Sequence, residues 1–506
     1  MNPSNVESDV LIVGRGLAGS IAALICEEAG LSVVLIHEKE AATSWAQGGI
    51  VYKAPEDPAE LIEDVLKAGC YINHRPTVEK VVREGPTLVE SWLLEKLKVP
   101  FNRDANEYSL TREAAHSERR ILHVNDETGF NLLSLLERQL SSRPNIIQYE
   151  STLIDLILSN RHAEDEQAVY SSSRVCGAYA WTPNIGVRTF KARATILASG
   201  GFASLFQYAT GPSGSIGAGI AAAHRAGARS LHMEYVQFHP TALYAQGSPR
   251  CLVTEALRGE GAVIRNHNGE TFVDSLAPRD VVSRAMHAEM IRTSQSHLFL
   301  DVSKVSNLDV KFPGFIKALK KFQLDPSNPM IPVLPATHYT LGGIWTDLNA
   351  KTNLSGLWAC GEVACSGLHG ANRLASMSLL EALVFGDQSG RSVVDFLKNQ
   401  NEVIPKIRDW QESHESVDLT LVQQDWSMLR KTLWNYVGLI RSEKHLKRAE
   451  RLLVDLRNEV ESFYKNAKLS KELIDLRQGV LVATLCLYAA IRNRKSLGTH
   501  YLQEEL

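Results

Sequence analysis

Close to its start the chain carries two short apolar runs, Asp9 to Val13 and Ser32 to Ile36, separated by a stretch of helical composition from Leu17 to Ala29. Apolar runs of this kind suit strands buried on both faces, so the three segments together predict a βαβ unit. From Pro58 to Leu97 the pattern turns helical, with Pro76 and Pro86 placed as helix starts, and Asn131 to Leu140 has the spacing of another amphipathic helix. Leu153 to Leu158 and Val175 to Trp181 read as strands, and the polar, aperiodic Ser159 to Ser173 between them reads as a hairpin tip. His232 to Leu334 mixes strand and helix signals with several prolines, after which Leu341 to Glu362 returns to glycine-punctuated apolar runs. An inserted domain is therefore expected. Beyond Asn401 glycine becomes sparse, and Trp410 to Lys465 and Lys471 to Arg492 have helical spacing with charged outer faces, as in a helical C-terminal domain.

Length and charge narrow the function classes. A chain of 506 residues exceeds one hydrophobic core, so two or three domains are expected. Its 54 basic and 57 acidic residues, for a formal charge of -3, lack the basic excess that nucleic acid or an anionic membrane would select. Small molecules are the expected partners, with no nucleic acid and no membrane. The longest uncharged stretch, Ala194 to Ala223, could span a bilayer by length, but its Gly, Ser and Pro mark it as a buried nucleotide-binding segment. The seven cysteines are scattered, and the nearest pair, Cys360 and Cys365, lacks the spacing of a zinc or iron–sulfur ligand set. A reducing cytoplasm and no metal site are expected. Glu7, Asp9 and Arg15 make the amino terminus a poor secretory signal.

Between the first predicted strand and helix stands Gly14-Arg15-Gly16-Leu17-Ala18-Gly19, whose glycines allow a tight turn and close approach of a pyrophosphate to a helix N-terminus. Glu38, at the end of the second strand, is placed to accept hydrogen bonds from a ribose. NAD and FAD are both compatible with this unit. Two later segments favour FAD: Ala46-Gln47-Gly48-Gly49-Ile50 soon after the second strand, and Gly361-Glu362 at the end of a late apolar run. A helix starting near Ser378 and Leu379 would direct its N-terminal N–H groups at negative charge on a flavin.

At these segments the chain resembles the fumarate reductase and succinate dehydrogenase flavoprotein superfamily and, within it, the L-aspartate oxidase family, across essentially its whole length. The resemblance implies an α/β fold: a Rossmann-like FAD-binding domain in two stretches (1–228 and 341–398), an inserted α+β capping domain (229–340) and a C-terminal helical bundle (399–506). It extends the cofactor set to Thr43, Ser44 and Trp45. Membrane-bound relatives carry flavin covalently on a histidine where this chain has Ala42, so noncovalent FAD is implied.

The superfamily's dicarboxylate motifs are present in its order: Gln237-Phe238-His239-Pro240-Thr241, Thr254-Glu255-Ala256-Leu257-Arg258, Ala277-Pro278-Arg279-Asp280, His338-Tyr339-Thr340 and Arg373. His239, Thr254, His338 and Arg373 can supply the charge-assisted donors that two carboxylates need in a water-poor cleft. The resemblance makes Arg279 a proton-relaying arginine, with Glu255 and Arg258 as its relay partners. It also places Glu113, in Leu110 to His123, where the family meets a substrate ammonium that succinate and fumarate lack. The implied reaction is oxidation of L-aspartate to iminoaspartate, with O2 (giving H2O2) or fumarate reoxidising the flavin. Iminoaspartate would feed NAD biosynthesis through quinolinate synthase. Two alternatives stay open: a soluble fumarate reductase, and a noncatalytic flavoprotein descendant. The second is motivated by Ala218 and Met377, which replace an aspartate and an asparagine of the superfamily pattern, as Ala114-Ala115 replaces a glycine pair.

Overall fold

The computed structural model describes residues 5–52, 58–113, 115–245, 251–399 and 403–503. Ala114 lies outside them.

The chain opens with β1 (Asn5–Val13), α1 (Leu17–Glu28) and β2 (Val33–His37). Two helices follow, α2 (Ala59–Ala68) and α3 (Arg75–Leu88), then α4 (Thr128–Ser141). Strands β3 (Ile146–Glu150), β4 (Thr152–Leu158), β5 (Val175–Thr182) and β6 (Gly186–Leu197) lead to α5 (Ala218–Ala226). A second group contains β7 (Val236–Leu243), β8 (Val263–Arg265), α6 (Arg279–Thr293), β9 (Leu298–Asp301) and β10 (Met330–Thr340). The chain then returns through β11 (Leu357–Ala359) and α7 (Met377–Lys398) and ends in α8 (Leu419–Tyr436), α9 (Glu443–Tyr464) and α10 (Lys471–Arg492).

The main sheet runs β3-β2-β1-β6-β5-β4, and β11 joins β6 beside its last residues. β1 pairs in parallel with both β2 and β6, while β4, β5 and β6 form an antiparallel meander. Val10 to Val13 are buried, as central parallel strands covered on both faces must be. On one face α1 packs on α7 so closely that a Cβ at Gly386 would stand 2.7 Å from the Ala18 carbonyl oxygen, and one at Gly390 2.9 Å from Ile25. These glycines bring the chain's return pass against the first helix. The second sheet, β7-β10-β9-β8, is antiparallel and packs against α6. The three terminal helices share a core with α5 and β4. The architecture is thus α/β with a Rossmann-like sheet, a separate antiparallel sheet with helices, and helices at the C-terminus.

Several local expectations change. Pro86 does not start a helix; it lies inside α3, where it has no N–H to give to the helical ladder. Just beyond, Val89–Lys96 widens into a π-type helix, with Leu97 N donating to the Trp92 carbonyl. Trp410 to Val417 is not helical: Ile407 and Glu415 make strand-like bridges to Ala163 and Ala467, and α8 begins only at Leu419, capped by Asp418. Ser159 to Ser173 does connect the antiparallel pair β4 and β5, with a short 3-10 turn at Glu166–Tyr170. The helix expected near Ser378 begins at Met377. The described helix long and apolar enough to cross a bilayer is α10, and 67% of its apolar window is buried inside the fold.

Candidate functional site

A single cleft crosses the carboxyl end of the main sheet. It runs past Gly14, Arg15, Gly16, Leu17 and Ala18, past Glu38, along Thr43, Trp45, Ala46, Gln47, Gly48 and Gly49, and on to Glu362, Ser378 and Leu379. Gly14 has φ +111, and a Cβ there would stand 2.2 Å from the Ala198 carbonyl oxygen, so only glycine lets the turn pass this close to β6. Thr43 Oγ1 accepts from Leu17 N at 3.0 Å, tying the loop after β2 to the first turn of α1. Not every expected residue faces the cleft. Gly19 packs beneath it, where a Cβ would strike the Gly14 carbonyl; Ser44 turns its hydroxyl to the Ala41 carbonyl; and Ile50 is buried opposite Leu122.

The cleft fits a flavin dinucleotide on its own chemistry. The buried Ser199 Oγ, Gln47 Oε1 and Arg15 Nε have no partner among the described residues, and such groups cost free energy unless something else pairs them. α7 begins without a side-chain cap on Ser376, and Ser376, Ser378 and Leu379 line the cleft. The free N–H groups of that first turn suit an electron-rich ring edge. Ala42 lines the cleft where a covalent link would need a nucleophile. Ala218 lines it too, at the start of α5 behind Gly217, whereas Met377 is buried.

At the inner end Glu113, His239, Thr254, Glu255, Arg279, His338 and Arg373 come together from six separated segments. Gln237 Oε1 is the hub: Arg373 donates to it from Nε at 3.3 Å and Nη2 at 3.1 Å, and Arg279 from Nη1 at 3.4 Å. Arg373 also donates to Ser378 Oγ at 3.0 Å and lies 4.6 Å from the centre of the Tyr339 ring. Among the described residues it has no carboxylate in ion-pair contact, and burial, with repulsion from Arg279, brings it down to about 10. It remains a cation in want of an anion. Arg279 is paired, its Nε donating to Glu255 Oε2 at 2.5 Å. Burial would raise the Glu255 carboxyl, but Arg279 and Arg258 outweigh it and hold it below the ordinary value. Arg258 does not line the cleft; it stands behind Glu255 at 3.7 Å and donates to the Ser275 carbonyl.

The two histidines are neutral, because burial and the neighbouring arginines hold both well below the usual imidazole value. Their rings lie 5.4 Å apart. His239 Nδ1 accepts from Thr241 N at 3.2 Å, which assigns the proton to Nε2, a buried donor with no partner among the described residues. His338 Nδ1 meets Thr210 Oγ1 at 2.9 Å. Glu113 accepts from Ser376 Oγ at 2.7 Å. Burial pushes the Glu113 carboxyl up, and Glu255 adds to the push while Arg279 opposes it.

Thr210, Ser199, Ser376 and Asp475 belong to this cleft or its support and were given no role by pattern; Gln237 stood in a motif but without the bridging role it has here. Ser376 has φ 58, a strained left-handed turn that only coordinates reveal. His369, costly to bury alone, is paired with Glu381 at 2.9 Å.

Comparison with known proteins agrees with this geometry. Residues 9–379 match the family described as an FAD binding domain. The chain is 38% identical over 515 residues to an L-aspartate oxidase of Yersinia pestis, covering 98% of this chain and 95% of that one. It is equally 38% identical over 516 residues to an L-aspartate oxidase of Halobacterium salinarum, covering 98% and 97%. A solved E. coli quinol fumarate reductase superposes with a TM-score of 0.86 at 25% identity, over 99% of this chain and 92% of that one.

Proposed function

The chain belongs to the FAD-binding-domain family and, within it, to the L-aspartate oxidases, and we infer that it oxidises L-aspartate to iminoaspartate. FAD, held along Gly14 to Ala18, Glu38, Thr43, Trp45 to Gly49, Glu362 and Ser378, would supply the two-electron acceptor for this oxidation. The residues of the chain do the rest. Arg373, unpaired with any described carboxylate, and the Nε2–H of His239 offer donors to the substrate carboxylates, with His338 and Thr254 beside them. Gln237 holds Arg373 and Arg279 on one oxygen, so the two cations keep a fixed separation. Arg279, backed by Glu255 and Arg258, is the candidate for moving a proton at the substrate.

The observation that carries the aspartate reading is Glu113. A carboxylate among cations that bind a dianion is repulsive to that dianion, and becomes useful when the substrate also carries an ammonium. Because burial raises its basicity, Glu113 is suited to accept from that ammonium and to favour loss of its proton. Glu113→Gln should lower aspartate kcat/KM about tenfold to a hundredfold, a charge-assisted contact of about 1.5–3 kcal/mol, and leave fumarate reduction unchanged or faster. Parallel losses with both substrates would sink the assignment. A soluble fumarate reductase is the second reading, and the superposition on the quinol enzyme at 25% identity fits it less well than the 38% identity to L-aspartate oxidases fits the first. A colourless protein that takes up no flavin would point instead to the noncatalytic descendant.

Because Ala42 offers no nucleophile, the flavin is held noncovalently, and acid precipitation should leave the yellow colour in the supernatant. O2 or fumarate completes the cycle, giving H2O2 or succinate. We further propose a cytoplasmic location and delivery of iminoaspartate to quinolinate synthase.

A further inference from the structure

The outer end of the cleft contains a residue from the far end of the chain. Asp475, on α10, faces the same space as Gly14, Glu38 and Leu153. Beside it Lys471 Nζ lies 2.7 Å from Asp475 Oδ2 and 2.9 Å from Glu38 Oε2. The other oxygen of Glu38 accepts from Thr152 Oγ1 at 2.8 Å. Helix α10 is not loosely apposed here. Gln478 Nε2 donates to the carbonyls of Leu153 and Ile154 at 3.1 and 2.8 Å, and Arg477 pairs with Asp155 at 3.2 Å, so α10 is bonded to the backbone and side chains of β4.

We propose that Lys471 and Asp475 form the outer wall of the adenosine subsite, so that retention of FAD depends on the docking of the C-terminal helices. The inference rests on the reading of the cleft as an FAD site. A ribose diol is neutral and rich in donors, and needs acceptors. Glu38 and Asp475 supply two carboxylates within reach of one ammonium, and each carboxylate oxygen can accept more than one hydrogen bond. Burial pushes the Asp475 carboxyl up to about 6, Lys471 pulling against it. A carboxylate so poorly solvated, facing open space, gains from any donor placed there. Lys471 prevents Glu38 and Asp475 from repelling each other and fixes the rotamer of both. It acts as a positioning residue for the cofactor's adenosine half and is remote from the reacting atoms.

The test uses the full-length protein stripped of flavin and titrated with FAD and, separately, with FMN, which lacks the adenosine half. In Lys471→Met the FAD Kd should rise about tenfold or more, the loss of a charge-assisted set, while FMN affinity stays within about twofold. Asp475→Asn should show the same selectivity at smaller size, and Lys471→Arg should restore most of the FAD affinity. FAD affinities within about twofold of wild type in both Lys471→Met and Asp475→Asn would overturn the proposal, as would equal weakening of FAD and FMN. A wild-type protein that takes up no FAD would instead overturn the cofactor reading on which it rests.

Discussion

The two ends of the cleft solve opposite electrostatic problems. At the inner end cations are left with spare capacity: Arg373 touches an amide, a hydroxyl and an aromatic face but no described carboxylate, and His239 keeps a buried donor free. At the outer end the charges are paired within the protein, one ammonium, Lys471, bridging the two carboxylates of Glu38 and Asp475. The difference follows the ligand. A dicarboxylate brings its own negative charge and repays the cost of holding unpaired donors, whereas the ribose proposed for the outer end brings only hydrogen-bond donors, which suit carboxylates already held by a cation of the protein.

The sharpest way to break this comparison is to unbalance the inner end. Arg279→Leu leaves Glu255 buried with Arg258 at 3.7 Å as its remaining ion-pair partner. Removing one partner of a buried pair costs about 3–5 kcal/mol of stability, and loss of the candidate proton-moving group should lower kcat/KM for aspartate by about 10² to 10⁴, with flavin content intact. Full activity with an unaltered flavin spectrum would remove Arg279 from the site. Next in size is a pH effect at Glu362, whose oxygen accepts from Thr340 N and Oγ1 at 2.9 and 3.0 Å. Burial raises Glu362 from 4.5 to about 7. A carboxyl raised on folding contributes stability that is present below its unfolded value and lost as pH rises through the folded one. Flavin-free wild type should therefore lose roughly 3 kcal/mol relative to Glu362→Gln between about pH 4.5 and 7, at about 1.4 kcal/mol per pH unit. Parallel melting curves for the two proteins across that window would refute it.

At the outer end Gly14→Ala forces a residue with a side chain to φ +111 against the Ala198 carbonyl. The strain, about 1–3 kcal/mol, should appear as weaker FAD binding and a lower melting temperature together. Wild-type affinity would show that the turn can relax. The smallest effect is expected from Thr210→Val, which removes the partner of His338 Nδ1. A neutral hydrogen bond is worth about 0.5–1.5 kcal/mol, so aspartate kcat/KM should drop about two- to tenfold without change in FAD affinity. Loss of FAD in this variant would mean that Thr210 serves the cofactor rather than the substrate end.

What the pattern of residues expressed well was local. The run into Val13, the turn at Gly14 to Gly19 and the second strand ending near Glu38 follow from strand burial, glycine turns and helix periodicity, all of which act within a few positions. Where local rules met a longer-range force they erred: Pro86 is a helix-start signal in sequence, yet packing carries α3 through it. The extended stretch before α8 was likewise set by bridges to Ala163 and Ala467.

By itself the sequence determined the nucleotide-binding start, which depends on residue type and short spacing, while its resemblance to the flavoprotein superfamily pointed to FAD and to the side chains proposed to hold a dicarboxylate. Only the tertiary structure decided that Gln237 joins Arg279 to Arg373, that Ser376 meets Glu113, and that Asp475 faces a cleft begun at Gly14. These partners lie far apart along the chain, and their meeting depends on how α7 and α10 pack against the main sheet, which no local periodicity encodes.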